Sequence, residues 1–338
     1  MVTNVASDGG KPGENIIEVR DLSVSFKTYG AVSRVLNGVN LTVPRGGRIG
    51  LVGESGCGKT TTLKAILNIL PSNAVLEGGE ILYEGRNVFG MDEPELMAFR
   101  QKGAGMIFQD PSQALNPVFS IRTQFLTALR YAKPGMSDRG RLEIAKNALT
   151  DVSLADPDRI LASYPYQLSG GMKQRVCIAM TISAGRWLLL ADEPGTALDV
   201  TIQDQILRLI SKLVDECSLS IVMVSHSLGV VREVTNFVNI MYAGSIVESG
   251  GTNEVFKNPR HPYTAALMAC LPKLTGTGIA EGIAGRIPDY AAPPPGCRFA
   301  PRCSHRMDIC DRQRPTHKVC GESHLVSCFW ADREADID

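Results

Sequence analysis

No stretch of about 20 apolar residues occurs in this 338-residue chain, so no segment has the length a membrane-spanning helix requires. The best apolar run, Val176 to Ala191, is interrupted by Arg186 and leads straight into Asp192-Glu193. Net charge is also missing. The 35 Lys and Arg balance 35 Asp and Glu, which removes the global basic field that would attract nucleic acid. Met1 to Asn15 is polar and Gly-rich and lacks the apolar centre of a signal peptide. These absences predict a cytoplasmic chain without a nucleic-acid partner, whose membrane association, if any, comes through another subunit. Closely spaced Cys pairs of the zinc-finger kind and internal repeats are absent too.

What is present is ordinary globular composition, 44% hydrophobic and 21% charged. Alternation in Ile17-Glu18-Val19-Arg20 and Val39-Asn40-Leu41-Thr42-Val43 predicts antiparallel strands about a Gly-containing turn. Arg48 to Val52, a Gly-rich turn and Thr60 to Leu70 read as strand, loop and helix. From about Pro94 to Met180 the pattern is mostly helical, with Leu142, Ala145 and Leu149 on one face and a turn at Pro134-Gly135. Trp187 to Ala191 and Leu219 to Val224 read as buried strands, and Thr201 to Val214 as an amphipathic helix. Val238 to Tyr242 and Ser245 to Glu248 form a predicted hairpin about Ala243-Gly244. The alternation predicts an α/β fold with a mainly parallel sheet covered on both faces. After Leu274 the periodicity fades and Pro293-Pro294-Pro295 stiffens the chain, which marks an appendage.

Gly53-Glu54-Ser55-Gly56-Cys57-Gly58-Lys59-Thr60 fits the phosphate-loop pattern between a strand and a helix. Glycines turn successive N–H groups onto phosphate oxygens, and the following helix adds positive potential. Gly53, Ser55, Gly56, Cys57, Gly58 and Thr61 make the expected cradle; Lys59 reaches the terminal phosphates and Thr60 ligates Mg2+. In Leu188-Leu189-Leu190-Ala191-Asp192-Glu193-Pro194, Asp192 is expected to hold Mg2+ and Glu193 to polarise the attacking water. Cys57 is expected to make the loop sensitive to thiol oxidants.

Family-specific residues follow. Leu168-Ser169-Gly170-Gly171-Met172-Lys173-Gln174-Arg175 resembles the ABC signature motif, Gln109 the Q-loop, Thr196-Ala197-Leu198-Asp199 the D-loop, and His226 the switch histidine. Phe26, or alternatively Tyr29, stands where the family stacks an aromatic ring on adenine. Two positions depart from the usual pattern, Gly195 for Ser or Thr and Ser227 for Asp, and neither removes a catalytic group.

The resemblance implies an ABC ATPase with a RecA-like core, an antiparallel β subdomain and a helical subdomain at about 101–180. It implies a flexible N-terminus at 1–15, an ATPase domain at 16–270 and a Cys-rich extension at 271–338. Catalysis would rest on Glu193, His226, Lys59 and Gln109, with ATP also contacted by Asp199. Gln109 would join Thr60 and Asp192 near Mg2+. Ser169, Gly170 and Gly171 would face ATP held by a partner subunit.

Met106 to Pro111, Leu115-Asn116-Pro117, Asn258 to Thr264 and Pro295 to Cys303 resemble the oligopeptide/dipeptide importer branch. That implies a second ABC ATPase subunit, two transmembrane permease subunits and an extracytoplasmic solute-binding protein. It places the chain at the cytoplasmic face of the membrane. Other solutes of the branch (nickel chelates, glutathione, oligosaccharides) and a soluble, non-transport ATPase are the alternatives.

Of nine cysteines, Cys297, Cys303, Cys310, Cys320 and Cys328 crowd the tail, and disulfides are not expected in the cytoplasm. The resemblance implies a [4Fe–4S] cluster on Cys297, Cys303, Cys310 and Cys328, with Cys320 able to replace Cys328. Zinc is the rival, because His305, His317 and His324 lie nearby. Lying outside every ATP motif, this tail is expected to have a structural or docking role.

Overall fold

A computed structural model describes residues 14–196, 198–270, 282–321 and 323–331. Most of the expected flexible N-terminus, Ala197 of the D-loop and the start of the extension, with Leu271-Pro272 and Leu274, lie outside the described residues.

The strands are β1 (Asn15–Thr28), β2 (Ala31–Pro44), β3 (Arg48–Val52), β4 (Ala74–Tyr83), β5 (Arg86–Asn87), β6 (Ala104–Ile107), β7 (Leu188–Asp192), β8 (Ser220–Ser225), β9 (Phe237–Tyr242), β10 (Ser245–Gly251), β11 (Lys318–Val319) and β12 (Leu325–Val326). No helix among the described residues is long and apolar enough to cross a membrane. The chain divides into two units, one holding Met91–Met223 and the other Ile17–Val43, Arg48–Gly90 and the chain from Val224 onward.

In the first unit β6 pairs parallel with β7, Ala104 opposite Leu188 and Ile107 opposite Ala191. The stretch from Pro94 to Met180 is mostly helical, as expected, with β6 as a short strand within it. Its four residues are all buried and too few to show a period, so pairing with β7 decides their conformation. The helices beyond it are set by their starts. Ser120, Ser137, Asp156 and Ser169 each accept a backbone N–H of the first turn, from Thr123, Gly140, Arg159 and Met172. Such caps stabilise a helix by about 1 kcal/mol each. The long helix Val200–Cys217 buries Ile206, Leu209, Ile210 and Leu213, a stripe at helical spacing.

In the second unit an antiparallel sheet runs in the order β2-β1-β4-β5. Here β1 and β4 pair from Ile17 opposite Tyr83 to Phe26 opposite Ala74, with irregular register near Ser23. The other sheet of this unit contains β3 parallel to β9, with Ile49 opposite Phe237. β9 and β10 form the predicted hairpin, turning through Ala243 and Gly244 with φ of 43° and 83°. The described tail belongs to the same unit: β12 pairs antiparallel with β10, and β11 with β12. Phe299, 3% exposed, packs with Tyr242 and Tyr263 at ring-centroid distances of 5.0 and 5.4 Å. Burial of one such ring stabilises by about 1.5–3 kcal/mol, so the tail has apolar anchorage of its own.

Candidate nucleotide site and cysteine cavity

β3 is buried from Ile49 to Val52 and delivers the chain into the loop at Gly53. A Cβ at Gly53 would lie 2.1 Å from the Met241 carbonyl oxygen, so only glycine fits there. Gly58 has φ of 111°, a left-handed conformation that aims the next N–H groups into the loop before the helix Lys59–Ile66 begins. The Lys59 Nζ donates to the carbonyls of Gly53 and Glu54 at 2.8 and 3.0 Å, which holds the ammonium over the loop. Ser55 and Gly56 are exposed, and Thr60 and Thr61 are half-buried in the first helical turn. A glycine-rich turn exposed at Ser55 and Gly56, a helix start and one lysine together suit a polyphosphate.

Cys57 does not behave as its position in the sequence suggested. It is fully buried, and burial pushes its thiol up to about 11 despite the neighbouring Lys59. A neutral, inaccessible thiol is a poor target for oxidants, which corrects the expectation of sensitivity.

The aromatic candidates differ in placement: Phe26 is half-buried on β1, whereas Tyr29 stands fully exposed at the β1–β2 turn. His226 is exposed just past the C-terminal end of β8.

In the first unit, β6 and β7 run parallel, so their C-terminal ends present Gln109 and Asp192-Glu193 on one edge. Asp192 is 4% exposed at the end of β7. Glu193 follows with φ of 44°, an unusual conformation for a side chain of this size. Gln109 Nε2 donates to Glu193 Oε2 at 3.3 Å and Thr196 Oγ1 to the same oxygen at 3.2 Å. Two residues far apart in sequence thus orient one carboxylate. Thr196 was not foreseen in that role, although it opens the D-loop run already singled out.

Ser169 caps the helix Gly170–Ser183, and its Oγ accepts from Met172 N at 3.3 Å. A Cβ on Gly170 would meet Leu198, and one on Gly171 would meet Ile202 at 2.9 Å. The two glycines therefore let the signature helix approach the D-loop and the next helix. Asp199 caps that next helix, accepting from Ile202 N at 3.0 Å.

Cys297, Cys303, Cys310 and Cys328 all line one small cavity together with His261 and His305. Burial pushes the Cys297 thiol up to about 11, with Cys310 and Cys328 adding to it, and also raises Cys303 and Cys328. Cys320 is elsewhere, its Sγ 3.9 Å from the Lys318 carbonyl. His317 and His324 are also engaged away from the cavity, His317 with Ser327 Oγ and His324 with Glu248. Among the described residues, no three His, Cys, Asp or Glu side chains are grouped closely enough to hold a metal ion. Four thiols and two imidazoles nonetheless share the lining of this one cavity. Its His261 accepts the Tyr263 N–H at Nδ1, leaving Nε2 buried without a hydrogen-bond partner.

The tail lies outside the ATP motifs in sequence but touches the phosphate loop in the fold. Arg302 Nη1 donates to Glu54 Oε2 at 2.9 Å, and Tyr290 Oη to the Gly56 carbonyl at 2.7 Å. Tyr263 Oη accepts from Glu54 N at 2.9 Å. The sequence offered Tyr263 and Arg302 only within runs that carry the resemblance and did not single out Tyr290; nothing in their spacing pointed to the phosphate loop.

Comparison with known proteins follows the same lines. The ABC transporter family model matches residues 36–196, and the model for the oligopeptide/dipeptide transporter C-terminal region matches residues 247–310. The dipeptide transport ATP-binding protein DppD of Bacillus subtilis is 40% identical over 96% of this chain and 97% of its own. The oligopeptide transport ATP-binding protein OppD of the same organism is 42% identical over 93% and 88%. A solved dimeric ATP-binding cassette, bound to ADP and phosphate after hydrolysis, superposes with a TM-score of 0.63 at 26% identity, covering 70% of this chain and 98% of that one.

Proposed function

We propose that this chain, which belongs to the ABC transporter ATP-binding family in its oligopeptide/dipeptide branch, hydrolyses ATP to power the import of peptides. Its relatives are named for dipeptide and oligopeptide transport, which favours peptides over the other solutes of the branch. The chain works at the cytoplasmic face of the membrane beside a homologous ATPase subunit, two permease subunits and a solute-binding protein.

The observation that carries the chemistry is the Glu193 carboxylate, oriented by Gln109 and Thr196 at the end of a buried strand. Glu193 aligns and polarises the water that attacks the γ-phosphate. The phosphate loop from Gly53 to Thr61 binds the phosphates, with Lys59 on the terminal ones. Thr60 and Asp192 hold Mg2+, and Gln109 links it to the water. His226 contacts the γ-phosphate, Phe26 or Tyr29 stacks on adenine, and Asp199 lies close to the nucleotide of the closed dimer. Ser169, Gly170 and Gly171 close on the ATP of the partner subunit, with the exposed start of the signature helix toward phosphate. ATP hydrolysis stimulated by peptide-loaded binding protein, measured with the complete transporter in liposomes, tests this reading. Turnover indifferent to the membrane subunits and to peptide would favour a soluble ATPase instead.

Cys297, Cys303, Cys310 and Cys328 are assigned as the thiolates of a [4Fe–4S] centre closing the extension at 271–338. What supports the assignment is that these four thiols line one cavity, away from Cys320, His317 and His324. Such a centre supplies cross-links to a Pro-rich segment, and the orphaned His261 Nε2 can donate to a sulfur there. Protein purified anaerobically is expected to be brown, with iron and sulfide near about four each per chain. Colourless protein with one bound zinc overturns the assignment.

A further inference from the structure

We infer that the cysteine-bearing tail positions the phosphate loop through Arg302 and Tyr290, so that the state of the four-thiol knot sets the affinity for nucleotide. The inference rests on the reading of Gly53 to Thr61 as the nucleotide site, and not on which group the thiols hold.

Arg302 immediately precedes Cys303, and its side chain is only 5% exposed. One edge of its guanidinium binds the tail itself: Nε donates to the Ala284 carbonyl at 2.8 Å and Nη2 to the Ile283 carbonyl at 2.9 Å. The other edge reaches the loop, where Nη1 pairs with Glu54 Oε2 at 2.9 Å and Tyr242 Oη at 3.3 Å. Glu54 is also the residue whose carbonyl seats the Lys59 ammonium and whose N–H is held by Tyr263. A shift of Arg302 therefore moves the seat of the lysine that binds phosphate. Without its arginine the Glu54 carboxylate, whose side chain is 26% exposed, loses this ion pair and is left to solvent, which releases the loop at that point.

A second line of contact repeats the arrangement beside Cys297. Tyr290 Oη donates to the Gly56 carbonyl, and the Arg298 guanidinium lies 5.8 Å from the Tyr290 ring centroid. Arg298 Nη1 also donates to the Ala243 carbonyl, while the next residue, Gly244, gives its N–H to the Cys57 carbonyl at 2.8 Å. Arginines flanking two of the four cysteines thus brace the loop at Glu54, Gly56 and Cys57. Glu54 occupies a variable place in the phosphate-loop pattern, so its carboxylate is free of any duty to phosphate itself. The segment from Gly282 to Pro295 forms no helix or strand; Arg302 holds it at the Ile283 and Ala284 carbonyls, and Ile283, Ile287 and Tyr290 pack partly buried against the core.

The test measures MgATP affinity of the full-length chain by calorimetry, alongside thermal unfolding. Arg302→Met keeps the stem and removes the charge, and should raise the MgATP Kd at least about fivefold, with Arg302→Lys recovering part of the loss. Tyr290→Phe removes one oxygen and should weaken binding in the same direction without lowering the melting temperature. Cys303→Ser should weaken binding as well. The double variant Arg302→Met with Cys303→Ser should then be no weaker than the weaker single one, because both act along one path. An unchanged Kd in Arg302→Met and Tyr290→Phe, or additive losses in the double variant, overturns the inference. These arms decide even if Cys303→Ser fails to fold, since neither Arg302→Met nor Tyr290→Phe touches a thiol. Wild-type protein that binds no MgATP would sink the nucleotide-site reading itself. Binding abolished by Lys59→Ala and indifferent to Arg302→Met would sink this inference alone.

Discussion

Glu193 is held in a backbone conformation that costs on the order of 1–3 kcal/mol for a residue with a side chain. That cost is offset where Gln109 and Thr196 converge on its Oε2, and the result is a carboxylate with one orientation. Glu193→Gln preserves size and hydrogen bonding and removes the charge proposed to polarise water. Single-turnover phosphate release should slow at least about a hundredfold while MgATP binding persists. Near-normal release in the assembled transporter would remove Glu193 from the catalytic role. At Gly53, by contrast, the constraint is steric. Gly53→Ala forces a methyl against the Met241 carbonyl, so the loop must shift, and MgATP affinity should fall more than melting temperature does.

The junction between β10 and the tail is governed by one histidine. His324 Nε2 bonds Glu248 Oε1 at 2.6 Å, and Nδ1 lies 3.3 Å from Glu254 Oε1. Glu248 first and Glu254 second raise the His324 pKa above its ordinary 6.5, so the fold favours the imidazolium. The stabilisation from this clasp is complete below about pH 6.5, the unfolded value, and drains away as pH rises through the raised folded value. Burial acts oppositely on His261, pushed down to about 4, and on His317, also lowered. Their contribution is present above 6.5 and is lost as the pH falls. Denaturant titrations from pH 6 to 9 should show wild-type stability declining on the alkaline side, and His324→Gln should flatten that limb. An identical slope in the variant would mean that the clasp does not titrate in this range. At the signature element the constraint is packing: Gly170 and Gly171 face Leu198 and Ile202, which ties the helix start to the D-loop.

For the molecule as a motor, the proposed sandwich makes each nucleotide a shared ligand. Ser169→Arg places bulk and charge at an exposed helix start meant for the partner's γ-phosphate. ATPase activity of the assembled complex should collapse, while the isolated chain still binds MgATP through its own loop. Unaffected activity would remove this composite site from turnover.

Much of this was written locally. The phosphate loop, the acids after Leu188–Ala191, the hairpin at Ala243-Gly244 and the amphipathic helix from Val200 follow from spacing, left-handed turn residues and periodicity, which depend on neighbours in the chain. The family motifs were legible for the same reason, because each is a short run whose backbone groups act together. Other features needed the folded chain. The strand Ala104–Ile107 exists through its pairing with β7, and Thr196 meets Gln109 only through Glu193. The raised pKa of Cys57 comes from burial that no sequence window displays. Above all, Arg302 and Glu54 are separated by 248 positions, and only tertiary packing brings the tail against the glycine-rich loop.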